Sequence, residues 1–79
     1  MKINLLLFGI FTDIFCSNKI ELSLPNNSTV GDLKEYISKR YPKTKNLNFV
    51  VAIDENYAIN DKIIKENQVV ALIPPVSGG

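Results

Sequence analysis

Hydrophobic residues change their spacing along this chain, and the change restricts the folds open to it. Residues 19–24 alternate between apolar and polar side chains, which predicts a strand with one face in solvent. Residues 30–41 instead carry one apolar stripe at helical spacing, made of Val30, Leu33, Ile37 and Tyr41. We therefore predict a helix over 30–40 that ends before Pro42, because proline disfavours the helical conformation in the residue preceding it.

Four further segments are predicted to be strands, at residues 2–8, 48–53, 57–59 and 69–73. The first and the last are the most apolar, and the first is apolar on both faces, as in a central strand covered on both sides. These two should lie side by side and parallel in the middle of the sheet. A helical turn is expected within residues 9–18, and Thr29 with Asp32 has the spacing of a capping box at the start of the main helix.

The resulting order is strand, strand, helix, strand, short strand, strand. One main helix packed across a mixed sheet of four to five strands satisfies this order, and that is the β-grasp arrangement, an α+β fold. The chain of 79 residues is expected to form one such domain over 1–79. A chain of this length has little room for a deep pocket.

Composition excludes several classes of function. The 9 basic and 8 acidic residues are interspersed and leave a net charge of +1, so neither nucleic acid nor a membrane is expected as a partner. Histidine is absent, which removes the usual general base and the commonest transition-metal ligand, so no metal site is expected. Only four apolar residues, 5–8, could serve as a signal-sequence core. A signal-sequence core needs a longer apolar run than this, so a cytoplasmic location is predicted.

Several residues allow two interpretations. Cys16 has no second cysteine to pair with and is either a packed small residue, which we favour, or a reactive thiol. Leu6, Phe8 and Leu72 either belong to the core or extend an apolar contact surface for a partner, since one helix leaves part of the sheet uncovered. The adjacent carboxylates at 54 and 55 are interpreted as solvated turn residues rather than a catalytic pair.

The last residues have a composition suited to insertion into a partner. After the apolar strand come Pro74 and Pro75, whose fixed φ favours an extended chain, and the sequence ends on two glycines, which favour flexibility. No side chain from 67 to 79 is charged, so burying this segment would desolvate no ion except the terminal carboxylate. Ordering a residue costs about 1 to 2 kcal/mol of backbone entropy. Because the two prolines already restrict the base of this segment, it loses less entropy when it inserts into a partner. We therefore predict that residues 74–79 form a flexible functional tail.

The whole chain resembles the MoaD family, the small sulfur-carrier subunits of molybdopterin synthase, within the wider MoaD/ThiS group. The most specific likeness is "VALIPPVSGG" at the end of the chain, and "LLLFG", "STVGDLKEYI" and "VAIDENYAI" support it less strongly. A bare Gly-Gly end is a weaker signal, because ubiquitin-like modifiers and the thiamine-pathway carrier share it. One departure is Thr12-Asp13, which stands where the family often has Arg-Glu, so a partner ion pair through that arginine is not expected.

The resemblance implies a ubiquitin-like β-grasp protein that carries sulfur for molybdenum cofactor biosynthesis. It implies that Gly79 is adenylated with ATP by a ubiquitin-activating-type enzyme and converted to a thiocarboxylate, with sulfur from a donor such as a persulfide sulfurtransferase. The large subunit of molybdopterin synthase would then use that sulfur on a pterin precursor. The residues that would enter the partner are Pro74, Pro75, Val76, Ser77 and Gly78. The chain itself would be a non-catalytic subunit of a heterodimer, with no bound cofactor.

Two other functions remain open from the sequence alone. One is a sulfur carrier for another pathway, such as the synthesis of thiamine or of thiolated nucleosides. The other is a ubiquitin-like modifier whose Gly79 ends in an isopeptide bond to a lysine of a target protein. The Pro-Pro-Val sequence ahead of the glycines favours the molybdopterin synthase subunit.

Overall fold

A mixed five-stranded sheet with one long helix across it makes up the fold in the computed structural model, which describes residues 1–74. The strands are β1 (Lys2–Leu7), β2 (Lys19–Ser23), β3 (Val50–Ile53), β4 (Asn56–Ala58) and β5 (Val69–Ile73). The helices are α1 (Ile10–Phe15), α2 (Val30–Arg40) and a short 3-10 helix, Pro42–Thr44.

The strand order confirms the predicted topology. The strands lie in the order β2-β1-β5-β3-β4, so the first and last strands of the chain are neighbours inside the sheet. β1 and β5 are parallel, whereas the other three pairs are antiparallel. The fold is therefore α+β, with the β-grasp arrangement that the hydrophobic pattern predicts.

The bounds of several elements differ slightly from the sequence-based prediction. α2 and β5 have the predicted bounds, but β1 ends at Leu7, because Gly9 turns the chain with φ of 56°. β3 starts at Val50 rather than at residue 48, and β4 is shifted one residue toward the N-terminus. The 3-10 helix was not predicted, although it starts at Pro42, and proline is well suited to the first position of a helix.

The core lies between α2 and one face of the sheet. Alternate residues of the three inner strands are buried there: Ile3, Leu5 and Leu7 of β1, Val70 and Leu72 of β5, and Val51 and Ile53 of β3. The stripe of α2 supplies Val30, Leu33 and Ile37, each with no exposed surface. The predicted helical stripe is thus confirmed as the cover of this face.

The opposite face of the sheet stays open among the described residues, so the prediction that β1 is covered on both sides is wrong. Leu6 is half-buried and Phe8 is 49% exposed. An apolar residue at every position of a strand does not distinguish a second covering layer from an exposed apolar surface. The structure shows the second case.

The start of α2 is fixed by its capping box and by a neighbouring loop. The Thr29 amide donates to Asp32 Oδ2 at 3.0 Å, and the Asp32 amide donates to Thr29 Oγ1 at 3.2 Å, as predicted. The Val30 amide also donates to the Lys62 carbonyl at 2.9 Å. Ile64 in the same loop is completely buried. The sequence pattern does not identify it as a core residue, because no regular period surrounds it.

A strained two-residue turn joins β3 to β4. Asp54 and Glu55 have φ of 49° and 72°, a conformation that hairpin turns usually give to asparagine, aspartate or glycine, so Glu55 is the unusual residue. Asp54 is more than a solvated turn residue: its Oδ1 accepts from the Val69 amide at 3.1 Å, and its own amide donates to the Val69 carbonyl at 2.9 Å. The turn is therefore tied to the start of β5.

We predict that Glu55→Gly raises the free energy of unfolding by about 1 kcal/mol, because glycine adopts positive φ without the steric cost of a Cβ. Glu55→Ala is the matched control, since it removes the carboxylate but keeps the Cβ. Its unfolding free energy should stay within about 0.5 kcal/mol of the original chain. Urea unfolding of the three proteins measures both effects, and equal stability of the glycine and alanine variants would contradict the strain.

Candidate functional site

The predicted tail begins at the C-terminal end of the central strand β5. Pro74 follows β5 directly and is half-buried. Pro75, Val76, Ser77, Gly78 and Gly79 lie outside the described residues, so their predicted roles stay predictions. The candidate site on the described part of the chain is therefore the base of the tail and the surface beside it.

The base of the tail contacts the turn that follows β1. β1 and β5 run parallel with Leu7 opposite Leu72, and two residues further along both chains Gly9 meets Pro74. A Cβ built on Gly9 would lie 2.9 Å from Pro74 Cγ, closer than two carbon atoms can approach without displacement. Only glycine satisfies both this contact and the positive φ at this position.

An apolar row crosses the sheet next to this base. Strand register places Leu6 of β1 opposite Ala71 of β5, Ala71 opposite Ala52 of β3, and Ala52 opposite Tyr57 of β4. Residues that pair across a sheet share a face, so all four lie on the side away from α2. Of the two positions open to Leu6 from the sequence, it thus occupies the uncovered side of the sheet, and its role in binding a partner stays a prediction.

We call this surface the open face. It is a shallow hollow, lined by Leu6, Phe8, Ala52, Glu55, Tyr57, Val69, Ala71 and Ile73. Phe8, Val69 and Tyr57 are 49%, 42% and 78% exposed. Contiguous exposed apolar residues of this kind mark interaction sites more often than isolated ones do.

Leu72 does not belong to the open face, and its assignment to a contact surface is wrong. It has no exposed surface and packs in the core under α2. In β5 the side chains alternate, so Val70 and Leu72 point into the core while Ala71 and Ile73 point to the open face. Because both sets are apolar, the sequence period alone did not assign them to faces.

Charged residues lie beside the apolar part of the open face. Lys19 pairs with Leu6, and Glu21 pairs with Asn4, across β2 and β1, so their side chains share this side of the sheet. Lys2 Nζ is 3.9 Å from Glu21 Oε1. A partner that covers the whole face would therefore meet an apolar area with a charged border along β2.

Cys16 is exposed, so the favoured interpretation of a packed residue is wrong. It ends α1 in the left-handed conformation with φ of 57°, and its Sγ donates to the Asp13 carbonyl at 3.7 Å. The described part of the chain holds no group of three or more Cys, Asp or Glu residues positioned for a metal ion. Within residues 1–74 no helix is both long and apolar enough to cross a membrane.

One helix across a mixed sheet, with parallel first and last strands, defines a ubiquitin-like β-grasp protein. Comparison with protein families gives the same class. The ThiS family model matches residues 5–79, and the chain belongs to the ThiS family.

Individual relatives are similar over nearly the whole chain. The molybdopterin synthase sulfur carrier subunit of Arabidopsis thaliana is 26% identical over 81 residues, covering 100% of this chain and 84% of the relative. A Pyrococcus furiosus protein, assigned as molybdopterin converting factor subunit 1, superimposes with a TM-score of 0.88 at 28% identity, covering 96% of this chain and 99% of the other.

More distant structures share the fold. In a complex of subunits 1 and 2 of the molybdopterin-converting factor from Helicobacter pylori, the matching chain has a TM-score of 0.69 at 18% identity, with 100% coverage of both chains. Small archaeal modifier protein 1 from Haloferax volcanii also has this fold, with a TM-score of 0.83 at 20% identity and 100% coverage of both chains. At these identities the likeness concerns the fold alone.

Proposed function

We propose that this chain is the sulfur carrier subunit of molybdopterin synthase. The observation that carries the proposal is the position of Pro74, the base of an uncharged Gly-Gly tail, directly after Ile73, which lines the open apolar face. A partner bound on that face would receive the tail directly. The Arabidopsis relative, a sulfur carrier subunit of this synthase, is similar over the whole chain and supports the choice of pathway.

The chemistry would take place at the carboxylate of Gly79. Its oxygen attacks the α-phosphate of ATP in the activating enzyme, and pyrophosphate leaves. A persulfide sulfur then attacks the acyl carbon and releases AMP, and a thiol reduces the resulting sulfur–sulfur bond to leave a thiocarboxylate. In the synthase this sulfur is the nucleophile toward the pterin precursor, and water then hydrolyses the acyl–sulfur bond, which leaves the sulfur on the pterin and regenerates the Gly79 carboxylate. No side chain of this chain needs to act as acid or base, which suits a sequence without histidine.

The tail's composition suits this chemistry. Gly78 and Gly79 have no Cβ and allow the acyl group to approach phosphate and substrate closely. From residue 67 to the end no side chain carries charge, so the partner has to compensate one charge only, that of the carboxylate or thiocarboxylate.

The open face would dock onto the large subunit. Its apolar row lies next to the tail base, so one interface can hold the carrier and direct the tail at the same time. The Helicobacter pylori protein of the same fold forms a complex with its subunit 2, which supports a partner of this kind. The activating enzyme and a persulfide sulfurtransferase are the two further partners.

We predict that Phe8→Lys weakens binding to the large subunit by at least tenfold, because it places a charge in the apolar interface, and tenfold corresponds to about 1.4 kcal/mol. Ile63→Lys is the matched control: Ile63 is 45% exposed against 49% for Phe8, but it does not line the open face. Calorimetric titration of both variants against the large subunit measures the effect. Equal affinities of the two variants would exclude the open face as the docking surface.

A second candidate function is that of a ubiquitin-like modifier. The fold of small archaeal modifier protein 1 favours it. Both functions activate the same Gly79 carboxylate and differ in the final acceptor, which is a sulfur atom for a carrier and a lysine amine for a modifier. The product formed in cells therefore distinguishes them.

A further inference from the structure

The contact between Gly9 and Pro74 joins the turn after β1 to the residue from which the tail starts. Gly9 has φ of 56° and ψ of −130°, a region that residues with a Cβ rarely adopt. A Cβ added to residue 9 would lie 2.9 Å from Pro74 Cγ. The proline ring therefore occupies space that exists because residue 9 has no side chain.

The turn that carries Gly9 is held firmly by its own hydrogen bonds and by the core. The Phe11 amide donates to the Phe8 carbonyl at 3.1 Å, and Thr12 donates to the Gly9 carbonyl twice, from its amide at 3.1 Å and from Oγ1 at 2.7 Å. Phe11 is completely buried, and its ring centroid lies 5.1 Å from that of Phe49. A side chain added at residue 9 would therefore displace Pro74 more readily than the turn.

We infer that Gly9 is a positioning residue for the tail: it seats the Pro74 ring and so sets the direction in which residues 75–79 leave the sheet. Pro74 transmits this direction because its ring fixes φ near −65°. We call this contact between the Pro74 ring and Gly9 the seat. The seat would direct the tail whatever reaction the tail undergoes, whereas its effect on the reaction of Gly79 rests on the proposed function. Misplacing a reacting group by about 1 Å can cost about a hundredfold in rate.

The direction of the tail can be measured without any partner. Cys16 is exposed and is the only cysteine in the sequence, so a nitroxide label attached to it reports from the end of α1. Paramagnetic relaxation of the amides of residues 76–79 then follows the position of the tail relative to α1. The variants are Gly9→Ala, Pro74→Ala and the double variant, with Gly31→Ala as control for a glycine whose added Cβ would lie no closer than 3.4 Å to a neighbour.

The double variant separates the seat from backbone strain. Pro74→Ala removes Cγ. The Cβ that remains at residue 74 lies 3.7 Å from the Cβ added at residue 9, which is an ordinary contact. Gly9→Ala should change the relaxation profile of 76–79 in the Pro74 background and leave it unchanged in the Pro74→Ala background. Strain from φ acts in both backgrounds alike, so it cannot by itself make the change in the profile depend on Pro74. An unchanged profile in Gly9→Ala, or the same change in both backgrounds, would overturn the inference.

A second variant covers the case in which Gly9→Ala does not fold. Pro74→Gly leaves the turn intact, removes the ring and frees φ, and it lies beyond the last strand. It should alter the same relaxation profile, and an unaltered profile would equally overturn the seat.

Kinetics with the activating enzyme connect the seat to the reaction. Gly9→Ala should lower kcat for adenylation about 10- to 100-fold with KM nearly unchanged, because the surface that docks is intact while the acyl group is misdirected. In the Pro74→Ala background the same substitution should leave kcat unchanged, and equal losses in both backgrounds would overturn the positioning role. Failure of the original chain to be adenylated would instead reject the proposed function, while the relaxation profiles still decide whether the seat exists.

Discussion

Deleting Gly79 is expected to abolish sulfur transfer while leaving the fold intact. The acyl carbon of this residue is the reacting atom in the proposed chemistry, so its removal leaves nothing to carry sulfur at the correct position. The core residues of the described chain all lie at or before Leu72, and Pro74 follows the last strand, so the deletion is expected to leave this core intact. The free energy of unfolding should change by less than about 0.5 kcal/mol.

Thermal unfolding and reconstituted synthesis of the pterin dithiolene, measured on the same preparation, test both parts. Two controls separate the reacting atom from the length of the tail. Ser77→Ala keeps both and should remain active, whereas deletion of Ser77 keeps the Gly-Gly end on a shorter tail and should lose much of the rate. Full activity without Gly79 would reject the carrier function. A large loss of stability would show that the end of the chain belongs to the folded core.

Gly78→Val should block transfer although valine is compatible with an extended backbone. The substitution adds a stiff, β-branched side chain beside the reacting residue and changes neither the terminal carboxylate nor the charge. If the tail passes through a narrow channel in the large subunit or the activating enzyme, the added bulk displaces the acyl carbon. A displacement of about 1 Å is enough for roughly a hundredfold loss of rate.

The loss should appear in the rates of adenylation and sulfur transfer rather than in affinity, since most of the contact area would come from the open face. Single-turnover rates and the subunit dissociation constant, measured on the same variant, separate the two. Gly78→Ala adds a single methyl group, and its single-turnover rates should lie between those of Gly78→Val and those of the original chain. Rates near those of the original chain for Gly78→Val would mean that the tail does not pass through a constriction.

Local signals in the sequence were sufficient for the helix and for the order of the strands. α2 has the predicted bounds because both of its ends are set by neighbours in sequence, the capping box of Thr29 and Asp32 and the proline at residue 42. The placement of β1 beside β5 followed from their being the most apolar segments, which belong inside a sheet.

Contacts between distant parts of the chain were not predictable from those signals. A core position and a surface position both remained open for Leu72, because every residue of β5 is apolar, and only its pairing with the buried Leu7 shows that it lies in the core. Ile64 lies in a loop without a period and is buried through contacts near the start of α2. The seat of Pro74 on Gly9 depends on the parallel pairing of the two ends of the chain, and a glycine in sequence does not reveal what lies against it.

The intact mass of the protein isolated from its native cells decides whether the chain carries sulfur. A sulfur carrier should yield a species heavier than the unmodified chain by the difference between one sulfur and one oxygen atom, with the change located at Gly79 by fragmentation. This species should disappear when the activating enzyme is deleted. Unmodified chains together with conjugates that include a target protein, and no thiocarboxylate, would contradict the sulfur carrier function and favour a modifier.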